Sequence, residues 1–326
     1  MLSGLLLIDK PEGLRSTDCV NRIRRALQAY GVNGSMPPSG TSDLIRKPRA
    51  GHAGTLDSTA SGLLVLLLGG ATRLSDAVMT LPKVYRAALR LGRATDTCDY
   101  SGQTVFEGDA SRVREADVDR ALFSFLGWRM QRPPEISALK KDGLPSHKRA
   151  RAGQEVALEP RPVFIRAIRR TSSLSKGCVE VEVLCGKGTY IRSLARDLGE
   201  RLGCGAFVES LRRLSIGPFC VKDALSPEEA KALALRGQLP LRSPRELGPL
   251  FRRIELTQEA ETRLLHGLNV YLAGAGRCAP GRDTPGCGLC VTGRGMLGFA
   301  GRVEEEGMLL LKPRANILFD VREASL

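Results

Sequence analysis

A chain of 326 residues exceeds the usual size of one hydrophobic core, which predicts two domains, or one large domain with a small one. With 42% hydrophobic and 26% charged residues, the composition excludes a disordered or fibrous protein. Lysine and arginine outnumber aspartate and glutamate by 49 to 35, and the net charge of +14 favours nucleic acid as partner over a membrane surface. An arginine-rich proteome would give the same excess, so charge alone does not identify the partner.

Three features predict a cytoplasmic protein. The longest apolar run, residues 63–68, is too short to cross a bilayer. The start of the chain has Asp9 directly after a short apolar run and no small-residue cleavage site, unlike a secretory signal. Nine cysteines, an odd number at scattered spacings, indicate reduced thiols.

The first predicted elements are a strand and a helix. Residues 4–9 form an apolar run that a Lys-Pro-Glu-Gly turn ends, which is typical of a buried strand. A helix should follow, capped by Ser16 or Thr17. Its apolar face has residues at helical spacing: Val20, Ile23 and Leu27. Residues 31–48, rich in glycine, proline and serine, predict a loop or insertion.

The middle of the chain alternates between strand, helix and loop patterns. From Lys83 to Gly92 every second residue is apolar, which predicts a strand with this apolar face: Tyr85, Ala87, Leu89 and Leu91. Residues 115–126 are amphipathic at helical spacing and predict a helix. Residues 131–153 carry six lysines and arginines among prolines and glycines, which indicates a mobile basic loop.

Two strands and two helices are predicted next. Strand alternation returns at residues 163–168 and at three valines separated by glutamates: Val179, Val181 and Val183. A helix should begin at a cap formed by Thr189 and end at Gly203. Its apolar stripe is Ile191, Leu194, Ala195, Leu198 and Leu202. Residues 226–229, Ser-Pro-Glu-Glu, form a capping box that starts another helix.

A proline-rich segment predicts the domain boundary. Residues 237–249 carry three prolines, so we assign residues 1–245 to a large domain and 250–326 to a small one. Short segments between glycine-rich turns predict that the small domain is β-rich: 264–270, 290–291, 296–303 and 308–311.

The stretch most indicative of chemistry is Gly-His-Ala-Gly-Thr-Leu-Asp, residues 51–57. Glycines on both sides of its acid let the backbone approach a ligand closely, so Asp57 should lie on a tight loop before a buried element. Taken alone, an aspartate in such a loop is more often a turn or helix cap than a catalytic group.

Five sequence blocks, taken in order along the chain, favour the catalytic interpretation of Asp57: residues 4–11, 51–73, 83–102, 133–140 and 186–214. Together they resemble the TruB family of tRNA pseudouridine synthases. The resemblance implies an α+β pseudouridine synthase fold, a mixed, largely antiparallel sheet flanked by helices and loops. Residues 1–245 would be the catalytic domain, and residues 250–326 would be a small β-rich, PUA-like, RNA-binding domain.

The resemblance also implies an isomerase that converts the T-loop uridine at tRNA position 55 to pseudouridine by flipping the base. The uracil N1 bond to the ribose is broken and remade through C5 without redox change, so we expect no cofactor and no metal. With only three histidines, metal-ligand spacing is absent. One weak metal set remains open: Cys278, Cys287 and Cys290 with His266.

Site residues are assigned by this resemblance. The catalytic set is Asp57, Tyr85 and Arg192: a carboxylate, a tyrosine that stacks on the base, and a cation that keeps the carboxylate ionised. The substrate-binding set is His52, Tyr190, Leu211, Lys140 and Arg149. Of these, His52 would fill the gap left by the flipped base, and Lys140 and Arg149 would hold phosphates. Without the resemblance, Arg192 would be interpreted as an arginine on the surface of a helix, and Tyr85 as a core residue of a strand.

Some positions depart from the family pattern. Ser58 stands where proline usually follows the aspartate, and residues 146–148, Ser-His-Lys, occupy a usually aromatic region.

The expected partner is the T-stem-loop of tRNA, bound by a monomer without a membrane or nucleotide cofactor. Two alternatives remain: a dyskerin-like subunit directed by a guide RNA, and a non-catalytic RNA-binding or RNA-folding protein. The basic segment 131–153 argues against the first alternative, because guide-directed relatives reduce that region.

Overall fold

The computed structural model describes residues 3–33, 48–135, 140–141, 144–145, 158–244, 246–247, 252–266, 268–271, 287–291, 297–305 and 308–317. Most of the expected insertion and of the expected basic loop, residues 34–47 and 146–157 above all, lies outside these ranges. Among the described residues, no helix is long and apolar enough to span a membrane.

The structure contains strands β1 Gly4–Lys10, β2 Ala50–His52, β3 Ala60–Leu68, β4 Lys83–Leu91, β5 Arg93–Thr95, β6 Thr104–Glu107, β7 Gly127–Gln131, β8 Lys140–Lys141, β9 Leu144–Pro145, β10 Arg161–Arg170, β11 Cys178–Cys185, β12 Ala206–Ile216, β13 Phe219–Cys220, β14 Arg252–Glu255, β15 Val270–Tyr271, β16 Cys287–Val291, β17 Leu297–Glu305 and β18 Met308–Ile317. The helices are α1 Ser16–Asn33, α2 Ser75–Thr80, α3 Glu115–Phe123, α4 Ile191–Leu202, α5 Pro227–Ala234 and α6 Gln258–Leu265, with short 3-10 turns at Gly69–Leu74 and Val221–Asp223.

A nine-stranded sheet organises the larger part of the structure. Its main path runs β1-β3-β12-β4-β11-β10-β7, with β2 paired to β3 and β13 paired to β12. Neighbouring strands are antiparallel except for β3 and β12, which are parallel. The largely antiparallel sheet with flanking helices confirms the predicted fold class.

Two helical layers bury the sheet. Helices α3 and α4 pack on one apolar face around Leu89, Val181 and Leu198. Helices α1 and α5 pack around Ile8, Ile23 and other apolar residues of a second cluster. Leu247, in the proline-rich segment predicted as the domain boundary, is buried in a third apolar cluster with residues of β1 and β3.

A five-stranded sheet forms the smaller part, in the order β14-β16-β17-β18-β15. Its pairs are antiparallel except β14 with β16. This sheet confirms that the C-terminal part is β-rich.

Three local expectations were wrong at their ends. The helix expected over residues 115–126 ends at Phe123, because the Ser124 hydroxyl donates back to the Ala121 carbonyl and a turn follows. Thr189 does not cap α4, since its hydroxyl donates to the Gly186 carbonyl in the preceding turn. The first residues of segment 264–270 belong to α6, which Thr257 caps.

The sheet depends on Gly62 for a close approach between β3 and β12. A Cβ added there would lie 2.2 Å from the Arg213 carbonyl oxygen, and the residue has φ +103°. Gly62→Ala is therefore expected to lower the free energy of unfolding by roughly 3 kcal/mol or more in urea titration. Gly51→Ala is the control, because a Cβ there meets nothing within 4 Å. Equal losses in both variants would contradict this account.

Candidate active site

One cavity of about 360 Å³ brings together most of the residues singled out from the sequence. Its walls include five of them: Asp57, Tyr85, Tyr190, Arg192 and Leu211. The loop before β3, the start of β4, the middle of β12 and the first turn of α4 converge there. Residues separated by more than 130 positions in the chain thus meet at one end of the central sheet.

Arg192 forms an ion pair with Asp57 inside this cavity. The distance from Arg192 Nε to Asp57 Oδ2 is 2.9 Å, and the exposed fractions of the two side chains are 7% and 39%. The sequence alternative of a surface helix arginine is therefore wrong. The charge of the buried guanidinium attracts the partly open carboxylate and keeps it at the cavity wall.

Asp99 is a second acid on the same arginine, and the sequence analysis gave it no role. Its carboxylate lies 3.8 Å from Arg192 Nη1, which also donates to the Thr97 carbonyl at 3.0 Å. Asp99 is 4% exposed and accepts hydrogen bonds from Thr59, Thr97 and Ser101 hydroxyls. It therefore holds Arg192 through Nη1, while Nε of the same guanidinium faces Asp57.

Tyr85 and Leu211 extend from neighbouring strands into the cavity. Tyr85 pairs with Arg213 across β4 and β12, and Leu211 pairs with Ala87 on β4 and Ala60 on β3. Burial raises the pKa of Tyr85, while the nearby Arg213 guanidinium opposes that rise. The hydroxyl therefore stays protonated at neutral pH, so it can donate a proton.

Buried cations surround the carboxylates. Lys10 is 0% exposed and donates to the carbonyls of Pro11 and Leu14 at 2.8 and 2.7 Å. Lys83 and Arg213 are 6% and 1% exposed and line the cavity wall. Neither was predicted as a site residue. Their charges favour an electron-rich ligand in the cavity.

Lys83 provides a test through pH. Burial lowers its pKa from 10.5 to about 8, with Arg213 as the next cause. Between these two pH values the unfolded chain binds more protons at Lys83 than the folded protein does, so the free energy of unfolding rises with pH. Below about pH 8 the buried lysine is charged and this stability is absent. From pH 8 to 10.5, wild type should gain roughly 3 kcal/mol in free energy of unfolding relative to Lys83→Met. Parallel stability curves in urea titrations across this range would refute the assignment.

A single hydroxyl holds the loop that carries Asp57. Ser16 Oγ donates to the Leu56 carbonyl and accepts from the Leu56 amide, both at 2.9 Å, and the serine is 2% exposed. The predicted capping residue of α1 thus serves the loop next to the carboxylate.

Ser16→Ala leaves both Leu56 backbone groups buried without this partner, so it should cost about 1–3 kcal/mol of stability. Thr17→Ala is the matched control, since Thr17 is exposed. Equal free energies of unfolding of the two variants in chemical denaturation would exclude this role of Ser16.

The remaining predicted residues lie elsewhere. His52 is on β2 opposite Leu66, beside the cavity and not among its lining residues. Among the described residues its buried Nδ1 has no hydrogen-bond partner, and burial followed by the Arg213 charge lowers its pKa, so the ring is neutral at neutral pH. Lys140 pairs with Pro145 in a two-residue hairpin, its side chain not described, and Arg149 lies outside the described residues.

The suggested metal set is not tested by the structure. Cys278 lies outside the described residues, and Cys287 and Cys290 are described only through the backbone of β16. Within the described part of the chain, no group of three or more metal-ligating side chains comes together.

Comparisons with known protein families match most of the domain around this cavity. Residues 43–191 match the model of the TruB family pseudouridylate synthase N-terminal domain. Residues 192–238, which comprise α4, β12 and α5, match the model of the tRNA pseudouridylate synthase B C-terminal domain.

Curated relatives share the sequence over most of the chain. A protein of Geobacter sulfurreducens called tRNA pseudouridine synthase B is 40% identical over 269 residues, 82% of each chain. A protein of the same name from Roseobacter denitrificans is 40% identical over 271 residues, again 82% of each.

Solved structures share the fold. A Cbf5-Nop10-Gar1 complex contains a chain with TM-score 0.67 and 22% identity, the match covering 98% of this chain and 86% of that one. A chain of an H/ACA RNP bound to a substrate RNA containing 2'-deoxyuridine has TM-score 0.62 and 21% identity, with 98% and 86% covered. At such identities the likeness concerns the fold.

Proposed function

The chain belongs to the TruB family of pseudouridylate synthases and is an isomerase of that class, and we propose that it converts the uridine at position 55 in the T-loop of tRNA to pseudouridine. The observation that carries the proposal is the ion pair of Asp57 with Arg192, 2.9 Å apart, in a cavity that also contains Tyr85. The name of its relatives at 40% identity supports tRNA as substrate.

The target uridine is stacked in the RNA and must leave the stack before it can enter the cavity. Extrusion costs roughly a few kcal/mol, which contacts with the flipped base and the vacated gap must offset. Tyr85 stacks on the extruded base, and Tyr190 and Leu211 line the space around it. His52, neutral and beside the cavity, fills the gap in the RNA without adding a buried charge.

The chemistry needs a carboxylate and no outside reactant. The bond from N1 to C1′ breaks, the uracil turns, and C5 bonds to C1′; C5 loses a proton and N1 ends with one, so atoms and electrons balance. Asp57 acts as nucleophile at C1′ or C6, or as base toward the C2′ proton. Arg192 pairs with this carboxylate and holds it in place, and the Tyr85 hydroxyl is available for proton transfer at C5.

Contacts with the RNA backbone complete the proposal. Lys140 and Arg149, in the basic segment 131–153, neutralise phosphates around the T-stem-loop. Residues 250–326 act as a PUA-like module that adds affinity for RNA. The enzyme acts as a monomer, which light scattering of the purified chain would check.

Release of tritium tests the function directly. A T-stem-loop RNA labelled at C5 of the position 55 uridine should lose the label to water when the purified enzyme is added without guide RNA. The same RNA labelled at another loop uridine should keep it. Release only after a guide RNA is added would favour the guide-directed alternative. RNA annealing without release would favour the non-catalytic one.

A further inference from the structure

Arg213 occupies an unusual position for a charged side chain. It is 1% exposed, and within the described structure its guanidinium donates to three backbone carbonyls: Leu63 at 2.7 Å, Gly54 at 3.1 Å and Thr55 at 3.4 Å. Carbonyl oxygens satisfy its donors without neutralising its charge. The positive charge therefore acts on the groups that face it across the cavity floor.

One of those groups is the hydroxyl of Tyr85. The two residues are a cross-strand pair on β4 and β12, both line the cavity, and the Arg213 charge acts to lower the pKa of Tyr85 against the larger effect of burial. A guanidinium can only donate, so in a contact with this hydroxyl the tyrosine oxygen is the acceptor and the hydroxyl proton is left to face the cavity.

The other end of the guanidinium holds the loop before Asp57. The Gly54 and Thr55 carbonyls lie three and two residues before that carboxylate, on the segment that begins the family motif. The backbone of Arg213 is itself fixed by the close approach of Gly62. One buried side chain thus holds the loop of the carboxylate and lies on the strand position directly across from the tyrosine.

We propose that Arg213 is a positioning residue for the isomerisation: it fixes the direction of the Tyr85 hydroxyl proton and the placement of the Asp57 loop relative to each other. The inference rests on the proposed function. Arg213 makes and breaks no bond in the reaction and does not contact the base. Its effect should therefore appear in the chemical step and leave RNA binding intact.

A double-mutant cycle tests the link to the tyrosine. Arg213→Met should lower the single-turnover rate roughly 10²-fold, with the Kd for T-stem-loop RNA changed less than about threefold. In the Tyr85→Phe background the same substitution should lower the rate clearly less, about tenfold, because the hydroxyl it orients is already gone and only the placement of the Asp57 loop is lost. Rate losses that multiply in the double variant would overturn the proposal. Arg169→Met, an exposed arginine paired with Glu182, controls for loss of charge.

Arg213→Lys keeps the buried charge but loses the fixed set of guanidinium donors. Its single-turnover rate should therefore lie between those of wild type and Arg213→Met. If Arg213→Met does not fold, Arg213→Lys replaces it in the double-mutant cycle with Tyr85→Phe. If neither variant folds, the residue serves stability alone and the proposal is wrong.

A titration without substrate separates this inference from the proposed function. Removing the Arg213 charge should move the tyrosinate absorbance of Tyr85, identified by difference from Tyr85→Phe, to higher pH. No shift would refute the contact. If wild type converts no uridine, the proposed function fails, and the titration still decides on Arg213.

Discussion

Asp57→Asn is expected to lower the rate of uridine conversion roughly 10⁴-fold while leaving RNA affinity and folding close to those of wild type. Asparagine has the same shape but cannot act as nucleophile or base. The turn is kept, because the Ala60 amide donates to the Asp57 backbone carbonyl. Arg192 also keeps its contacts with Thr97 and Asp99.

The measurement is single-turnover conversion of labelled RNA beside an equilibrium binding titration. Asp96→Asn is the matched control, since Asp96 lies nearby, is exposed, and accepts a hydrogen bond from the Gln103 amide that asparagine can also accept. Conversion by Asp57→Asn at the rate of Asp96→Asn would remove Asp57 from the chemistry. A parallel loss of RNA affinity would instead make it a binding residue.

The sequence predicted the elements with strong periodicity and the loop with unusual composition. Alternation placed Tyr85 on a strand face, and the stripe of α4 placed its apolar side correctly. The cavity residues were assigned through resemblance to a family, because pattern alone could not show that Asp57 and Arg192, far apart in sequence, form an ion pair.

Arg213 shows why part of the site was missed. Two identical side chains stand next to each other on β12, and strand alternation sends them to opposite faces. Arg212 is 40% exposed and pairs with Asp9, whereas Arg213 is buried. The available signal was Leu211, already assigned to the cavity: residues i and i+2 share a strand face, so Arg213 had to point the same way.

Asp99 could not have been found by such a rule. It lies in the loop between β5 and β6, where Cys98 has φ 58°, so no fixed periodicity gives its direction. Its place depends on hydrogen bonds from three hydroxyls and on a helix almost a hundred residues away. Loop side chains that satisfy a buried ion are set by tertiary contacts and not by local pattern.

Arg192 carries the second large prediction. Arg192→Lys should lower the chemical rate roughly 10²- to 10³-fold with RNA affinity kept, because a lysine retains the charge but cannot reach two acids through separate nitrogens. In the structure Nε faces Asp57 and Nη1 faces Thr97 and Asp99. A single ammonium would leave one carboxylate without its partner or pull Asp57 out of line.

Arg192→Met goes further, because it leaves Asp99 buried without a cation and should cost about 3–5 kcal/mol of stability. Comparing the two variants separates the effect of charge from that of geometry. If Arg192→Lys folds normally but converts its substrate slowly, the lost rate is due to geometry, because the charge is still present. Arg196→Lys, one turn later on α4 and paired with Asp197, is the matched control and should keep its rate. If Arg192→Lys turns over as fast as Arg196→Lys, one positive charge suffices and the two-acid arrangement has no catalytic role.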